Sequence, residues 1–341
     1  MKIALVTDAW APQVNGVVRT LRSVRRELEK MGHDIRVFSP DQFYSVPCPT
    51  YGEIKLALVT AAGLGQALAG VKPDAIHIAT EGPLGLAARR WCRRNGFPFT
   101  TAYHTQFPDY VSKRTGLPSE WIWPFIRRFH APSEAVLTAT ASVRRDLREH
   151  GITHVRHWGR GVDLEAFSPD APPLPCYAEL QRPIQLYVGR VAVEKNIEAF
   201  LQTRQPGTKV VVGDGPARAA LEARYPDILF LGALSGRELA GAYAGADVFV
   251  FPSKTDTFGL VMIEALASGT PVAAYPVTGP VDVVTADIAC LDPNLDAAIA
   301  GALTRDRARC ATFGAGFTWR RSAEQFLAAL APIEEHFDEA A

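Results

Sequence analysis

What most constrains this chain is a doubled alternation. Twice over, short apolar runs alternate with stretches whose apolar residues recur every three or four positions. Residues 2–8 open the first series with an unbroken apolar run ending in Asp8, as a strand buried on both faces reads. Val18, Leu21, Val24, Leu28 and Met31 then mark one helix face, and Gly32 stops that helix. Further strands are predicted at 34–39, 75–80, 97–103 and 136–140, with helical segments between them. The second series has strands at 184–189, 209–213, 228–231 and 247–252, and helices from Asn196 and over 217–224, 237–245 and 258–268. Such alternation implies parallel sheets covered by helices on both faces.

Between the two series, residues 167–183 hold Pro169, Pro172, Pro173, Pro175 and Pro183, too many for a helix or central strand, and read as the interdomain linker. At roughly 100–200 residues per domain, 341 residues predict two α/β domains, 1–168 and 169–318. The amphipathic end, 319–341, carries Phe326, Leu327, Leu330 and Ile333 and is expected to pack back on the first domain. Two doubly wound domains in tandem leave a cleft, and ligands bind outside the carboxyl ends of such strands.

Composition removes several alternatives. With 48% hydrophobic and 21% charged residues there is ample surface for a core, so disorder is excluded as the main theme. The longest weakly polar stretch, 56–71, is too short to span a bilayer and contains Thr60 and Gln66. The start has no signal-peptide layout, because its apolar run ends at Asp8. Cys48, Cys92, Cys176, Cys290 and Cys310 have no paired spacing, which argues against disulfides and a zinc site and suits a reducing cytoplasm. Charge is uneven: residues 1–170 carry 22 Lys and Arg against 16 Asp and Glu, and residues 171–341 carry 14 against 20. A basic half suits an anionic partner, and it equally suits neutralisation by the other half.

The strand ends carry the chemistry. Pro12-Gln13-Val14-Asn15-Gly16-Val17 opens a helix, and Gly16 lets backbone N–H groups approach an anion, although a glycine in a turn reads the same way. Arg190 and Lys195 leave one strand end together, a pairing suited to a diphosphate or to solvated loop charge. Gly213-Asp214-Gly215-Pro216 begins like a dinucleotide fingerprint, but Arg218 stands at its third glycine. There is no P-loop and no Asp-x-Asp pair for a metal–diphosphate complex. In the segment from Phe251 to Val272, Asp256 lies in the loop and Glu264 follows eight residues on, about two turns into the expected helix. Phe258, Gly259 and Leu260 fall at its N-terminus, where free N–H groups suit phosphate; Asp256 also suits an N-cap.

Together these residues resemble the retaining glycosyltransferases of the GT-B fold in the large family numbered four, over nearly the whole chain. Asp256-x7-Glu264 corresponds to that family's Glu-x7-Glu, and Gly189-Arg190…Glu194-Lys195 to its phosphate-binding motif. Gly213-Asp214-Gly215-Pro216 and Gly161-Val162-Asp163…Phe167-x-Pro169 match two further signatures. Residues 46–51, Ala102-Tyr103-His104-Thr105 and the run from Val188 to Lys195 look most like the glycolipid branch. That branch holds sulfoquinovosyl-diacylglycerol synthase and bacterial diacylglycerol or ceramide glycosyltransferases; GDP-mannose-dependent mannosyltransferases look similar. The departure is Asp256, one methylene shorter than the family's Glu.

The resemblance implies two Rossmann-like domains facing across a cleft and transfer of a hexose from a nucleotide sugar, UDP-linked, to a membrane lipid acceptor. It implies that Arg190 and Lys195 bind the diphosphate and stabilise the leaving group, with Gly16 leaving room for it. Glu264 would accept hydrogen bonds from the ribose hydroxyls. Asp256, with the backbone of Phe258, Gly259 and Leu260, would hold the sugar hydroxyls, and His104 would contact the sugar near the reacting carbon. No cofactor and no metal are expected, the nucleotide sugar being a co-substrate. The expected place is the cytoplasm, peripheral on the inner face of the cell membrane.

Trp121-Ile122-Trp123-Pro124-Phe125-Ile126-Arg127-Arg128-Phe129-His130, with Lys113-Arg114 before it and Arg89, Arg90, Arg93 and Arg94 elsewhere, suits an anionic membrane surface. The spacing of Trp121, Phe125 and Phe129 by four equally suits the buried face of a helix. Three other readings compete: a nicotinamide-dependent oxidoreductase, a non-catalytic sugar-nucleotide sensor, and nucleic-acid binding through the basic half. The broken fingerprint argues against the first and the intact Arg190, Lys195 and Glu264 against the second. The third lacks any recognition motif.

Overall fold

The computed structural model describes residues 1–334 except 14, 49, 50, 107, 109–111, 113–115 and 117, with only the backbone of 51–54. It divides into two units, Met1–Gly159 with Trp319–Ala341, and Arg160–Thr318.

In the first unit, β1 (Lys2–Val6), β2 (Asp34–Phe38), β5 (Ala75–Ile78), β6 (Thr100–Ala102), β7 (Ala135–Thr138) and β8 (Val155–His157) form a six-stranded sheet in the order β2-β1-β5-β6-β7-β8. Every pair in it is parallel. A separate antiparallel pair, β3 (Ser45–Cys48) and β4 (Tyr51–Ala57), interrupts the series. One apolar cluster joins the sheet to the helices Ala61–Val71 and Pro83–Arg94, through Leu64, Leu68, Leu84 and Trp91. Another joins it to Gly16–Lys30 and Trp319–Ala329, through Leu21, Val24, Leu28 and Phe326. The C-terminal helix therefore belongs to the first unit. It stops at Ala329, short of the expected extent, because Pro332 cannot continue it; Pro332 instead forms an antiparallel bridge with Ala75. Residues 335–341 of that expectation lie outside the described residues.

The second unit repeats the plan with β9 (Ile184–Val188), β10 (Thr208–Val212), β11 (Leu229–Gly232), β12 (Val248–Phe251), β13 (Val272–Ala274) and β14 (Ala289–Leu291). Their order is β11-β10-β9-β12-β13-β14, again all parallel. This is the doubly wound order that reverses direction beside its first strand, here between β9 and β12.

The units part at Gly159/Arg160, earlier than residue 168. Val162 already bridges to Thr318 within the second unit, and its N–H bonds the carbonyl of Phe317. The proline-rich segment is accordingly a packed strap of the second unit and not a free linker. Phe167 and Tyr177 are buried, and the Tyr177 hydroxyl donates to the carbonyl of Ala242, 3.2 Å away.

Candidate active site

The reversal between β9 and β12 sets the loops that follow these strands side by side. Three contacts latch them. Asn196 Nδ2 donates to the carbonyl of Pro252 at 3.0 Å, Thr255 Oγ1 donates to that of Glu194 at 3.4 Å, and Lys195 Nζ lies 2.6 Å from Asp256 Oδ1. The expected diphosphate cation and the expected sugar-binding carboxylate thus form one ion pair, with about a quarter of each side chain exposed. Asp256 Oδ2 is buried with no hydrogen-bond partner among the described residues. A carboxylate oxygen in that condition needs a donor, which a hydroxyl group can supply.

Arg190 stands on the same loop, fixed from below. The Tyr187 hydroxyl donates to the Arg190 carbonyl at 2.8 Å. Burial, and then the charges of Asp256 and Glu194, push the Tyr187 ionisation far up, so the hydroxyl keeps its proton and remains a donor. The neighbouring loop supports this one backbone to backbone: Val191 N–H bonds the Asp214 carbonyl, and Gly189 N–H bonds that of Val212. A Cβ at Gly213, where φ is +138°, would stand against the Gly189 carbonyl oxygen. The Gly213-Asp214-Gly215-Pro216 signature here lets two loops touch.

After β12 the helix begins at Leu260, two residues later than expected. Gly259 precedes it with φ +82°, and a Cβ there would meet Phe251 at 3.0 Å and Met262 at 2.9 Å. The Phe258 ring is buried edge-on to Phe317, so only its backbone is available for the role expected of it. Glu264 lies one turn into the helix and is 3% exposed, with Oε2 accepting a hydrogen bond from the Tyr243 hydroxyl at 3.1 Å.

Gly16 and His104 lie on the first unit. Gly16 opens the helix Gly16–Lys30, and Asn15 Oδ1 accepts from the N–H groups of Val17 and Val18 at 3.0 Å each. The cap therefore uses two of the donors that an anion would meet there. His104 follows β6, with its ring edge-on to the buried Trp158 at 5.4 Å.

Sequence reasoning misses Tyr187 and Tyr243, since a tyrosine among apolar neighbours reads as core. It also misses Asp8. The Asp8 carboxylate accepts from Thr80 Oγ1 and Leu84 N–H at 2.8 Å each, and so caps the helix Pro83–Arg94 across from β1. Burial raises its pKa despite these bonds. The ending of an apolar run in Asp is the signal for it. Among the described residues, no group of three or more His, Cys, Asp or Glu could hold a metal ion.

The first unit also carries a basic, aromatic surface. The helix Trp123–His130 buries Trp123, Ile126, Phe129 and His130 and exposes Phe125, Arg127 and Arg128; Trp121, just ahead of it, is 71% exposed. Of the three aromatics spaced by four, only Phe129 is core. Arg89 Nε donates to the Phe129 carbonyl at 2.8 Å, and its Nη2 to that of Arg128, which ties this helix to Pro83–Arg94. Arg90, Arg93 and Arg94 on that helix are exposed, so the two basic clusters belong to one surface. Lys113 and Arg114 lie outside the described residues.

Two parallel six-stranded Rossmann-like units, the second with a carboxylate–cation pair across the loops at its switch point, have the architecture of the GT-B glycosyltransferases. Sucrose-phosphate synthase from Thermosynechococcus elongatus superposes with a TM-score of 0.75 at 22% identity, covering 96% of this chain and 97% of that one. Anabaena HepE in complex with UDP gives 0.70 at 15% identity, covering 96% and 99%. Residues 14–166 match the model of Glycosyltransferase Family 4, and residues 182–305 that of Glycosyl transferases group 1. A GDP-mannose-dependent alpha-mannosyltransferase of Mycobacterium tuberculosis is 34% identical over 84% of this chain and 82% of its own. Sulfoquinovosyl transferase SQD2 of Arabidopsis thaliana is 32% identical over 80% and 59%, and alpha-monoglucosyldiacylglycerol synthase of Streptococcus pneumoniae 29% over 81% and 71%. The chain belongs to glycosyltransferase family 4 and acts on a nucleotide sugar.

Proposed function

We propose that this chain transfers a hexosyl group of glucose, glucuronic acid or mannose type from a UDP-linked donor to a membrane lipid hydroxyl, on diacylglycerol or ceramide, with retention and without a metal. The observation that carries the donor side is the Lys195–Asp256 ion pair, with Arg190 on the same loop as Lys195. Two cations and a carboxylate on adjoining loops suit a departing diphosphate and a sugar hydroxyl. Arg190 and Lys195 stabilise the departing diphosphate. The acceptor hydroxyl attacks the anomeric carbon from the face the nucleotide leaves, and a phosphate oxygen takes its proton. Asp256 Oδ2 accepts a sugar hydroxyl, Glu264 the ribose hydroxyls, and the backbone of Phe258, Gly259 and Leu260 adds N–H donors. The roles proposed for His104 and Gly16 are contact with the sugar near the reacting carbon and room for the diphosphate. The protein's contribution is position and charge stabilisation.

On the acceptor side, a relative named as a monoglucosyldiacylglycerol synthase and the arginine-rich surface with exposed Trp121 and Phe125 favour a lipid drawn from an anionic membrane. Among the described residues no helix is long and apolar enough to cross a membrane, and peripheral attachment at the inner face of the cell membrane is the matching arrangement. The relative at 34% identity supports a second reading, mannosyl transfer from GDP-mannose to a lipid-linked or polysaccharide acceptor.

The deciding experiment offers UDP-glucose, UDP-glucuronic acid and GDP-mannose with vesicles containing diacylglycerol or ceramide. Products are weighed by mass spectrometry and their anomeric form is read by NMR. An α-linked glycolipid from a UDP donor supports the first reading, and a mannosylated product the second. Absence of any lipid product with every donor overturns the lipid acceptor. Binding of donors without turnover on any acceptor supports the sensor.

A further inference from the structure

Glu264 is steadied from outside its own motif. Its carboxylate is nearly fully buried, and Oε2 accepts from the hydroxyl of Tyr243, in the helix Gly236–Gly245, at 3.1 Å. A carboxylate only accepts and this hydroxyl has one proton, so the direction of the bond is fixed. Tyr243 has no exposed surface. Its ring lies edge-on between Phe167 at 5.8 Å and Phe249 at 5.6 Å. Its backbone is pinned as well, since Thr270 Oγ1 donates to its carbonyl at 2.6 Å. A donor held on ring and backbone has little freedom to follow the carboxylate, so the carboxylate must conform to the donor.

We infer that Tyr243 is a positioning residue for Glu264. Its hydroxyl fixes the side-chain torsions of Glu264, and so sets how the carboxylate meets the ribose of the donor nucleotide. This deepens the proposed function, since it rests on Glu264 meeting the ribose. It also gives the Phe167 signature a task, because Phe167 supports the Tyr243 ring.

The test measures binding of UDP and GDP, and of their 2′,3′-dideoxy forms, to wild type, Glu264→Gln and Tyr243→Phe by calorimetry. Wild type is expected to prefer the nucleotide with ribose hydroxyls, and Glu264→Gln to lose most of that preference. Tyr243→Phe should reduce it by about 2- to 13-fold, the span of a single net hydrogen bond. Its donor KM should rise while kcat at saturation stays near wild type. A melting temperature within about 5 °C of wild type shows that the fold is kept. Equal weakening of ribo and dideoxy forms in Tyr243→Phe gives the tyrosine a merely structural role and overturns the inference. So does full preference in Tyr243→Phe when Glu264→Gln has lost it. Full preference in Glu264→Gln overturns the ribose role of Glu264 itself, and the inference with it.

Discussion

Lys195 and Asp256 meet through a 2.6 Å contact between the ammonium and one carboxylate oxygen, each residue from a different loop of the second unit. The pair is about a quarter exposed, so it contributes roughly 0.2–1 kcal/mol to stability. Its effect on activity should be far larger, because it places the cation. Asp256→Asn is expected to leave the urea midpoint nearly unchanged and to lower kcat/KM by more than about tenfold, the loss of one charge-assisted hydrogen bond. Asp256→Glu, which restores the family's residue, should keep the fold and alter the sugar preference. An unchanged donor profile would show that Asp256 does not read the sugar.

Charge on the departing diphosphate should be met by Arg190, Lys195 and helix N-termini. Activity is expected to survive EDTA, and Arg190→Ala or Lys195→Ala to lower turnover by orders of magnitude. Abolition by EDTA with rescue by magnesium or manganese would contradict this.

Gly213 supports Arg190 from the next loop. Gly213→Ala must move the Gly189 carbonyl that its Cβ would strike, at a φ of +138° that L-residues avoid. A loss of about 2–4 kcal/mol in thermal unfolding is expected, with lower turnover because Gly189 carries Arg190. Gly32→Ala is the control, with a positive φ but nothing within 4 Å, and should cost about 1 kcal/mol. Equal losses in both variants would mean that the loops do not lean on each other.

The sheets are legible in the sequence because parallel strands buried on both faces are written as apolar runs; all four residues of β12 are apolar and buried. The pair β3 and β4 is not, since Pro47 and mixed polarity hide a short antiparallel ribbon. The candidates Arg190, Lys195 and Asp256 are visible as charges in the loops after strands, and Glu264 by its spacing from Asp256. Tyr187 and Tyr243 are not, because their hydroxyls matter only once other elements fold against them. The spacing by four from Trp121 misleads for a geometric reason: the helix begins at Trp123, so Trp121 lies outside the helical period counted from it.

Acid should loosen the first unit through His77. The ring is fully buried, with Nδ1 2.8 Å from Thr100 Oγ1 and in edge-to-face contact with Trp158 and with Phe326 of the C-terminal helix. Burial pushes its pKa down from 6.5 to about 3. Above pH 6.5 neither state binds the proton, and His77 adds no pH dependence. Between 6.5 and about 3 the unfolded chain binds it and the folded one does not, so stability falls as pH falls, by up to about 1.4 kcal/mol per unit. Urea midpoints from pH 7.5 to 4 should therefore drop less steeply in His77→Asn than in wild type, even if its midpoint at pH 7.5 is lower. Parallel slopes would show that His77 titrates normally.

Membrane docking is expected through the surface that Arg89 ties together. Arg127 and Arg128 project from one helix and Arg90, Arg93 and Arg94 from the other, with Trp121 and Phe125 exposed beside them. The aromatic rings suit headgroup depth and the guanidiniums suit lipid phosphates. Each basic residue near an anionic bilayer contributes about 1 kcal/mol, so several support reversible binding that salt weakens. Wild type should co-sediment with vesicles containing anionic lipid and far less with zwitterionic ones. Arg127→Gln with Arg128→Gln should cut the anionic binding by about tenfold or more, two such residues being worth about 2 kcal/mol, while activity on a detergent-dispersed acceptor stays. Trp121→Ala should weaken binding to both vesicle types, since it removes apolar insertion and leaves charge alone. Negligible binding by wild type to either vesicle, or binding that the double variant retains in full, would defeat this surface as the docking face. A soluble sugar or protein acceptor would then be favoured over a lipid.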